Sequence, residues 1–363
     1  MNTRTNFRTS ARQGRLRKGL AFSGAVATML FSAAISWGGN SDSYTRTDLV
    51  SDVPGRAKFT DPNLVNAWGI ALGGVFWVAD NGTGLSTLYA LDGTPQSLVV
   101  TIPPSASNTE GISAPTGTVF NSGSGFVVTN GSASGPAVFI FASEDGAITG
   151  WNPSVDSTHA ILAVDHGANG AVYKGAAISS AQDRLYVTNF FAAKVEIYDQ
   201  SFAEIDTSST FIDPTIPTGY APFGIQNVNG SIYVSYAKQD PARHDDVAGA
   251  GHGCVSVFDA NGNFIKRLIT NAPLNSPWGM TLAPANFGKA SGKLLVGNFG
   301  NGRINVFDPD TGAFITPLEK SNGNILVINS LWGLSFSGAD LFITAGIQGE
   351  AHGLFAEITA DNP

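Results

Sequence analysis

Residues 238–252 of this chain carry Lys238, Asp240, Arg243, His244, Asp245, Asp246 and His252. A shorter polar stretch further on holds Gln348, Glu350 and His352, so three of the chain's five histidines fall in these two segments. Imidazole and carboxylate together form the ligand set of zinc, manganese or iron, and they exchange protons near neutral pH. His244, Asp245, His252, Glu350 and His352 are therefore candidates for catalysis. Asp240, His244, Asp246, His252 and His352 are candidates for holding one divalent metal ion, and Asp240, Asp245 and Asp246 also offer the oxygens that calcium takes. A structural alternative uses the same side chains to cap loop backbone and bridge neighbouring elements. The spacing matches no HExxH helix, and the chain has no GxSxG elbow, phosphate-binding P-loop or CxxC pair.

A second set is defined by glycine. Gly69, Gly117, Gly175, Gly224, Gly279 and Gly333 each open an apolar run, and they recur at intervals of 48 to 58 residues. The residues just before them are Trp68, Thr116, Lys174, Phe223, Trp278 and Trp332. Three indoles and a phenyl ring gathered at one place could stack a sugar, an aromatic molecule or a planar heterocycle. Lys174 would add a cation–π contact or an anion anchor. The alternative is that the rings pack between structural units and Lys174 is solvated. Asp80, Asn81, Asn130, Asn189, Tyr236 and Asn298 recur one strand later. Asn81, Asn189 and Asn298 are the polar candidates for the same ligand, although turn chemistry by itself also favours Asn there.

The elements that must position these groups are short strands. Residues 275–318 read as four of them, WGMTLA, KLLVGNF, RINVFD and FITPL, separated by Gly, Asn, Asp and Pro. One such sheet cannot bury both faces, so copies must stack against it. Each anchoring glycine is followed by a second strand (FWVADN, FVVTNG, LYVTNF, IYVSYA, LLVGNF, LFITAG) and a third (TLYALD, VFIFAS, KVEIYD, CVSVFD, RINVFD, LFAEIT). Fourth strands follow in five units, with TGWNP in the second. The sixth has none, and residues 45–52, TRTDLVSD, precede the first unit with no unit of their own. The expected fold class is all-β: a six-bladed β-propeller over residues 45–363, closed by the N-terminal strand in the last blade, which protects the sheet edges. The loops entering the inner strands and those joining second to third strands then share one face, the upper face.

Residues 1–18 contain Arg4, Arg8, Arg12, Arg15, Arg17 and Lys18 and no acid, and residues 19–37 are mostly apolar. This is the layout of a secretory signal peptide over residues 1–36, ending at Ala34-Ile35-Ser36, followed by a flexible linker over 37–44. The alternative is an uncleaved membrane anchor. The expected address is secreted or periplasmic. The chain has a net charge of −8 and becomes more acidic without the basic leader, which argues against nucleic acid and anionic membrane as partners. The expected partner is a small molecule, a glycan or an exported protein, and the expected state is a monomer. Cys254 is the single cysteine, so no internal disulfide forms, and beside the strand VSVFD it reads as a buried thiol. His159 and His166 flank AILAVD and read as structural.

The stretches TDPNLVNAWGIAL, FWVADNGTGLSTLY, FASEDGAITGWNP, AVYKGAAI, GYAPFGIQNV, YAKQDPARHDDVAGAGHG, LNSPWGMTLAPANFG, LLVGNFGNGRINVFDP and EAHGLF carry a resemblance over residues 49–355. With them the chain resembles a family of uncharacterised secreted bacterial and fungal proteins. The resemblance implies a six-bladed propeller and brings no activity. The single strands also resemble YVTN and NHL-type repeats. By analogy of fold, propellers of the gluconolactonase and strictosidine-synthase type place ligands on the upper face. The Asn, Asp and Glu that hold a divalent ion in gluconolactonase-like propellers are replaced here by mostly aromatic residues, so that metal site is not carried over. Two functions remain: a binding protein using the upper axial face, or a metal-assisted hydrolase, lactonase or isomerase using the two histidine-bearing loops.

Overall fold

The computed structural model describes residues 43–361. The expected signal peptide and linker residues 37–42 lie outside the described residues. Six antiparallel sheets follow one another around an axis. Blade 1 comprises Ala67–Gly73, Val75–Asp80, Leu85–Tyr89 and Pro95–Thr101. Blade 3 begins at Tyr173–Ile178, blade 4 at Tyr220–Val228, blade 5 at Pro277–Leu282 and blade 6 at Leu331–Ser337, each running outward in chain order. No described helix is long and apolar enough to cross a membrane.

The ring closes at its two ends. Tyr44–Ser51 pairs antiparallel with Leu354–Ala360 as the outer strand of blade 6, with Thr45 opposite Thr359 and Ser51 opposite Leu354. Phe59–Thr60 adds a short parallel strand beyond it. Side chains fasten the seam: His352 Nδ1 meets Asp52 Oδ2 at 2.6 Å, Asp52 Oδ1 accepts from Gly353 N at 2.9 Å, and Thr45 Oγ1 donates to Asp361 Oδ1 at 2.7 Å. Tyr44 was expected in the linker but belongs to this strand, its ring packed on Phe287.

Blade 2 departs from the expected strand assignment. Its strands are Pro115–Phe120, Phe139–Ser143, Ala147–Trp151 and Ile161–Asp165. The expected second strand, FVVTNG, instead forms a separate hairpin, Val127–Asn130 with Ala133–Pro136. That moves VFIFAS from third strand to second and TGWNP from fourth to third, and it removes Asn130 from the upper face. The burial pattern agrees: Phe139–Ser143 is buried throughout, whereas Val127 is 48% exposed.

The anchoring glycines have one cause. A Cβ on Gly224 would lie 2.0 Å from the Trp278 carbonyl oxygen, and one on Gly279 would lie 2.4 Å from that of Trp332. Neighbouring inner strands approach so closely at the axis that only hydrogen fits. The period seen in the sequence is therefore the packing period of the ring. The apolar core is distributed between successive blades, with one further cluster on the axis.

Candidate functional site

The axial cluster is aromatic and closed. Trp68, Phe223 and Trp332 are at most 3% exposed. Trp68 stacks on Trp332 with ring centroids 3.5 Å apart, Phe299 stacks on the same indole at 4.2 Å, and Trp278 meets it edge-on at 5.7 Å. Phe223 lies 5.9 Å from Trp332 and 5.3 Å from Phe190. The open aromatic recess expected from the sequence is therefore a plug: the rings satisfy one another, and Trp278, Phe299 and Phe191 at its border remain partly exposed. Trp278 Nε1 donates to the Lys174 carbonyl at 2.7 Å. Thr116 is buried, its hydroxyl bonded to two carbonyls.

Lys174 is buried against this plug, its Nζ 5.3 Å from the Trp68 ring and 6.0 Å from that of Phe190. Its ammonium contacts Glu144 Oε1 and lies 3.2 Å from Asp245 Oδ1. Burial pushes the ammonium toward neutrality, but the two carboxylates prevail and raise Lys174 above the usual lysine value. It is therefore a fixed positive charge at neutral pH and not a nucleophilic amine.

A chain of polar contacts runs from this lysine in both directions. Glu144 Oε2 accepts from Asn81 Nδ2 at 2.8 Å, and Asn81 Oδ1 accepts from Asn66 Nδ2 at 3.0 Å. On the other side, Asp245 Oδ1 lies 2.9 Å from His244 Nδ1. Facing a carboxylate, Nδ1 carries the proton, which leaves Nε2 of the half-exposed ring available. The hydrogen bond to Asp245 raises His244 above the ordinary histidine value, against burial and Lys174. The same bond, with Lys174, holds Asp245 well below the usual carboxylate range.

Glu350 enters from blade 6. Burial pushes its carboxyl up to about 7; the Asn66 side chain opposes this, and the nearby Glu144 charge adds to it. Burial likewise raises Asp246. Asn66 Oδ1, Trp68 Nε1, Trp332 Nε1 and Asp246 Oδ2 are buried without a partner among the described residues. The two indole nitrogens are sealed in the plug, whereas Asn66 Oδ1 and Asp246 Oδ2 belong to the polar groups above it and would each gain a hydrogen bond from a polar molecule held here.

The topology explains the convergence. Asn66 lies in the loop entering the inner strand of blade 1. Asn81, Glu144, His244 to Asp246 and Glu350 lie in the second-to-third-strand loops of blades 1, 2, 4 and 6. All of these loops are on the upper face. The long blade 4 loop is ordered by the pairing of Gln239 with Asp246 and by Asp240 N bonding to Asp245 O at 2.8 Å.

Several expected site residues serve elsewhere. Asp240 Oδ1 caps its own loop, accepting from His244 N at 2.9 Å. His252 Nδ1 bonds the Val247 carbonyl at 2.7 Å, and His352 is committed to Asp52 in the seam. The expected metal set of Asp240, His244, Asp246, His252 and His352 is thus not assembled, because three of the five are tied to loop backbone or to the ring closure. Asn189 donates to Glu196 at 2.8 Å and caps a turn, and Asn298 Nδ2 bonds the Pro273 carbonyl at 2.9 Å. Neither reaches the axial chain. Cys254 is buried, and burial pushes its thiol up to about 11.

Another trio offers metal-ligand atoms: Glu144, His244 and Asp245 each have one within 4.8 Å of the others. The donor types suit a divalent ion, but Glu144 and Asp245 already neutralise the Lys174 ammonium, whose charge opposes a second cation in the same place.

Glu144 and Asn66 are site residues that the sequence pattern does not single out. With blade 2 shifted by one strand, Glu144 fell into a third-to-fourth-strand loop on the opposite face.

No family model matches this chain. It is 34% identical over 326 residues to Uncharacterized protein R648 of Acanthamoeba polyphaga mimivirus, covering 86% of this chain and 79% of that protein. It is 33% identical to Uncharacterized protein L690 of the same virus, covering 86% and 85%. The chain belongs to the family of these two mimivirus proteins. Family membership carries no stated activity. Among solved structures, the family member described here is similar to a protein of unknown function from Bacteroides thetaiotaomicron (TM-score 0.53, 10% identity, 88% of this chain and 76% of that one). It is also similar to a gluconolactonase from Xanthomonas campestris (TM-score 0.50, 14% identity, 82% and 87%) and to a virginiamycin B lyase from Staphylococcus aureus (TM-score 0.50, 12% identity, 87% and 99%). At these identities the likeness concerns the propeller fold.

Proposed function

We propose that this propeller binds a small polar molecule on its upper axial face and that His244 and Glu350 exchange protons with it. One observation carries the reading: an unbroken polar chain, Asn66, Asn81, Glu144, Lys174, Asp245 and His244, crosses the axis above a closed aromatic floor. Residues from four blades meet in it, and Glu350 of a fifth stands beside it. The buried Lys174–Glu144 pair at its centre contributes little net stability compared with an apolar core. The floor prevents a ligand from passing down the axis, and the orphaned polar atoms around the chain favour a ligand with several hydroxyl or amide groups.

Proton transfer is the chemistry these groups support. A carboxyl raised to about 7 shares its proton at neutral pH, and a histidine oriented by a carboxylate presents Nε2 as donor or acceptor. Lactone or ester hydrolysis and isomerisation are the reaction classes that fit such a pair.

The test is a screen of small lactones, esters and hydroxylated amines by thermal shift and turnover, with Glu350→Gln and His244→Ala as controls. The expected result is a stabilising or converted compound whose effect is lost in both variants. Stabilisation that survives both would remove this reading.

Metal-assisted hydrolysis remains the second reading, favoured by the grouping of Glu144, His244 and Asp245. Stoichiometric zinc, manganese or iron in purified protein, lost in His244→Ala, would support it. We also propose that the chain is exported and acts as a monomer without nucleic acid or membrane partners. The basic start and apolar run of residues 1–37 support export, and a mature protein beginning at Trp37 is expected on N-terminal sequencing.

A further inference from the structure

The lower ends of the inner strands frame a second axial recess. It is a funnel of about 530 Å³, contributed by blades 1, 2, 3, 4 and 6, a size suited to a small molecule. Above it the axis narrows between Gly69, Gly117, Gly279 and Gly333 to a throat of about 30 Å³, room for one water, ending at Trp278. Among the described residues, no charged side chain lines the funnel or the throat. The upper cluster, in contrast, gathers Glu144, Lys174, His244, Asp245, Asp246 and Glu350, and the two share no side chain. A molecule in the funnel cannot reach the upper face through so narrow a throat.

Three features of the lining specify a ligand. Thr118, 7% exposed, borders both funnel and throat, and its Oγ1 has no hydrogen-bond partner among the described residues. Gln226 borders the same spaces with an exposed amide side chain. Phe120 is 37% exposed in the funnel wall, its ring held 5.3 Å from Phe139. Two other polar groups are already held: Asn227 Nδ2 donates to the Ile178 carbonyl at 2.9 Å, and Gln182 Oε1 accepts from Ser122 N at 3.1 Å. A charged ligand would find no counter-charge in this lining. A hydroxyl-rich molecule with an apolar ring face would satisfy Thr118 and Gln226 and stack on Phe120.

We propose that this funnel is a second binding site, for an uncharged sugar held by Gln226 and Thr118 and packed on Phe120. The test uses the full chain with D-glucose and maltose as probes, and D-gluconate and D-glucosamine as charged counterparts, read by saturation-transfer NMR and calorimetry. Saturable binding of a neutral probe is expected. Gln226→Ala and Phe120→Ala should each weaken it by about tenfold, equivalent to about 1.4 kcal/mol, while Lys174→Met and Glu350→Gln leave it unchanged. Gln226 is exposed, so its variant tests the site without endangering the fold, and Thr118→Val provides an isosteric second. Failure of both neutral probes to bind would overturn the proposal. So would preference for a charged counterpart, or binding lost in Glu350→Gln but kept in Gln226→Ala.

Discussion

Lys174 Nζ and Asp245 Oδ1 lie 3.2 Å apart, although the lysine is in the inner strand of blade 3 and the aspartate in a long loop of blade 4. The lysine is buried and the aspartate largely exposed, so this pair joins the packed axis to the solvent-facing loop. Removing the ammonium in Lys174→Met leaves Glu144 without its counter-charge. The expected loss is about 3 kcal/mol, the low end for a broken buried pair, because solvent screens Asp245. Urea denaturation measures it, and a Lys174→Met, Glu144→Gln double variant should recover part of the loss.

Glu350 gives the site a pH dependence of known sign. Its carboxyl is raised from 4.5 in the unfolded chain to about 7 in the folded one, so the folded state holds the proton more tightly. Its contribution to stability is fully present below about pH 4.5 and is lost as pH rises to about 7. His244, also raised, acts in the same direction at higher pH, so the informative quantity is a difference. Tm measured from pH 4 to 8 should fall less steeply in Glu350→Gln than in the natural protein.

The seam predicts a purely structural role for two groups that resemble site residues. Asp52→Ala removes the partner of His352 and of the Gly353 amide. Stability should fall by about 2 kcal/mol, whereas ligand response and metal content at the upper face stay as they were. Chemical denaturation and metal analysis on the same preparation check both halves.

The aromatic plug separates packing from recognition. Trp332→Ala deletes the ring on which Trp68, Phe299 and Trp278 converge, and it should cost about 3–5 kcal/mol. Trp278→Phe keeps most of the ring and loses one hydrogen bond to the Lys174 carbonyl, a loss of about 1 kcal/mol. Equilibrium unfolding of the two variants should rank them in that order.

The sequence by itself determined the ring. Glycines recurring every 48 to 58 residues mark where inner strands touch across the axis, and that requirement is local to each strand, so it is written in residue type. The unassigned segment before blade 1 found its place in blade 6 for an equally simple reason: a sheet lacking its outer strand pairs with the one strand left over. Tertiary structure decided the site. Whether Trp68 and Trp332 face solvent or each other depends on the ring's diameter, which no single blade encodes. His352 and His244 look alike in their loops, yet one is drawn to Asp52 at the seam and the other to Asp245 over the axis. Glu144 became visible only when an extra hairpin in blade 2 shifted every later strand of that blade by one, because in an antiparallel sheet a one-strand shift exchanges the upper face for the lower.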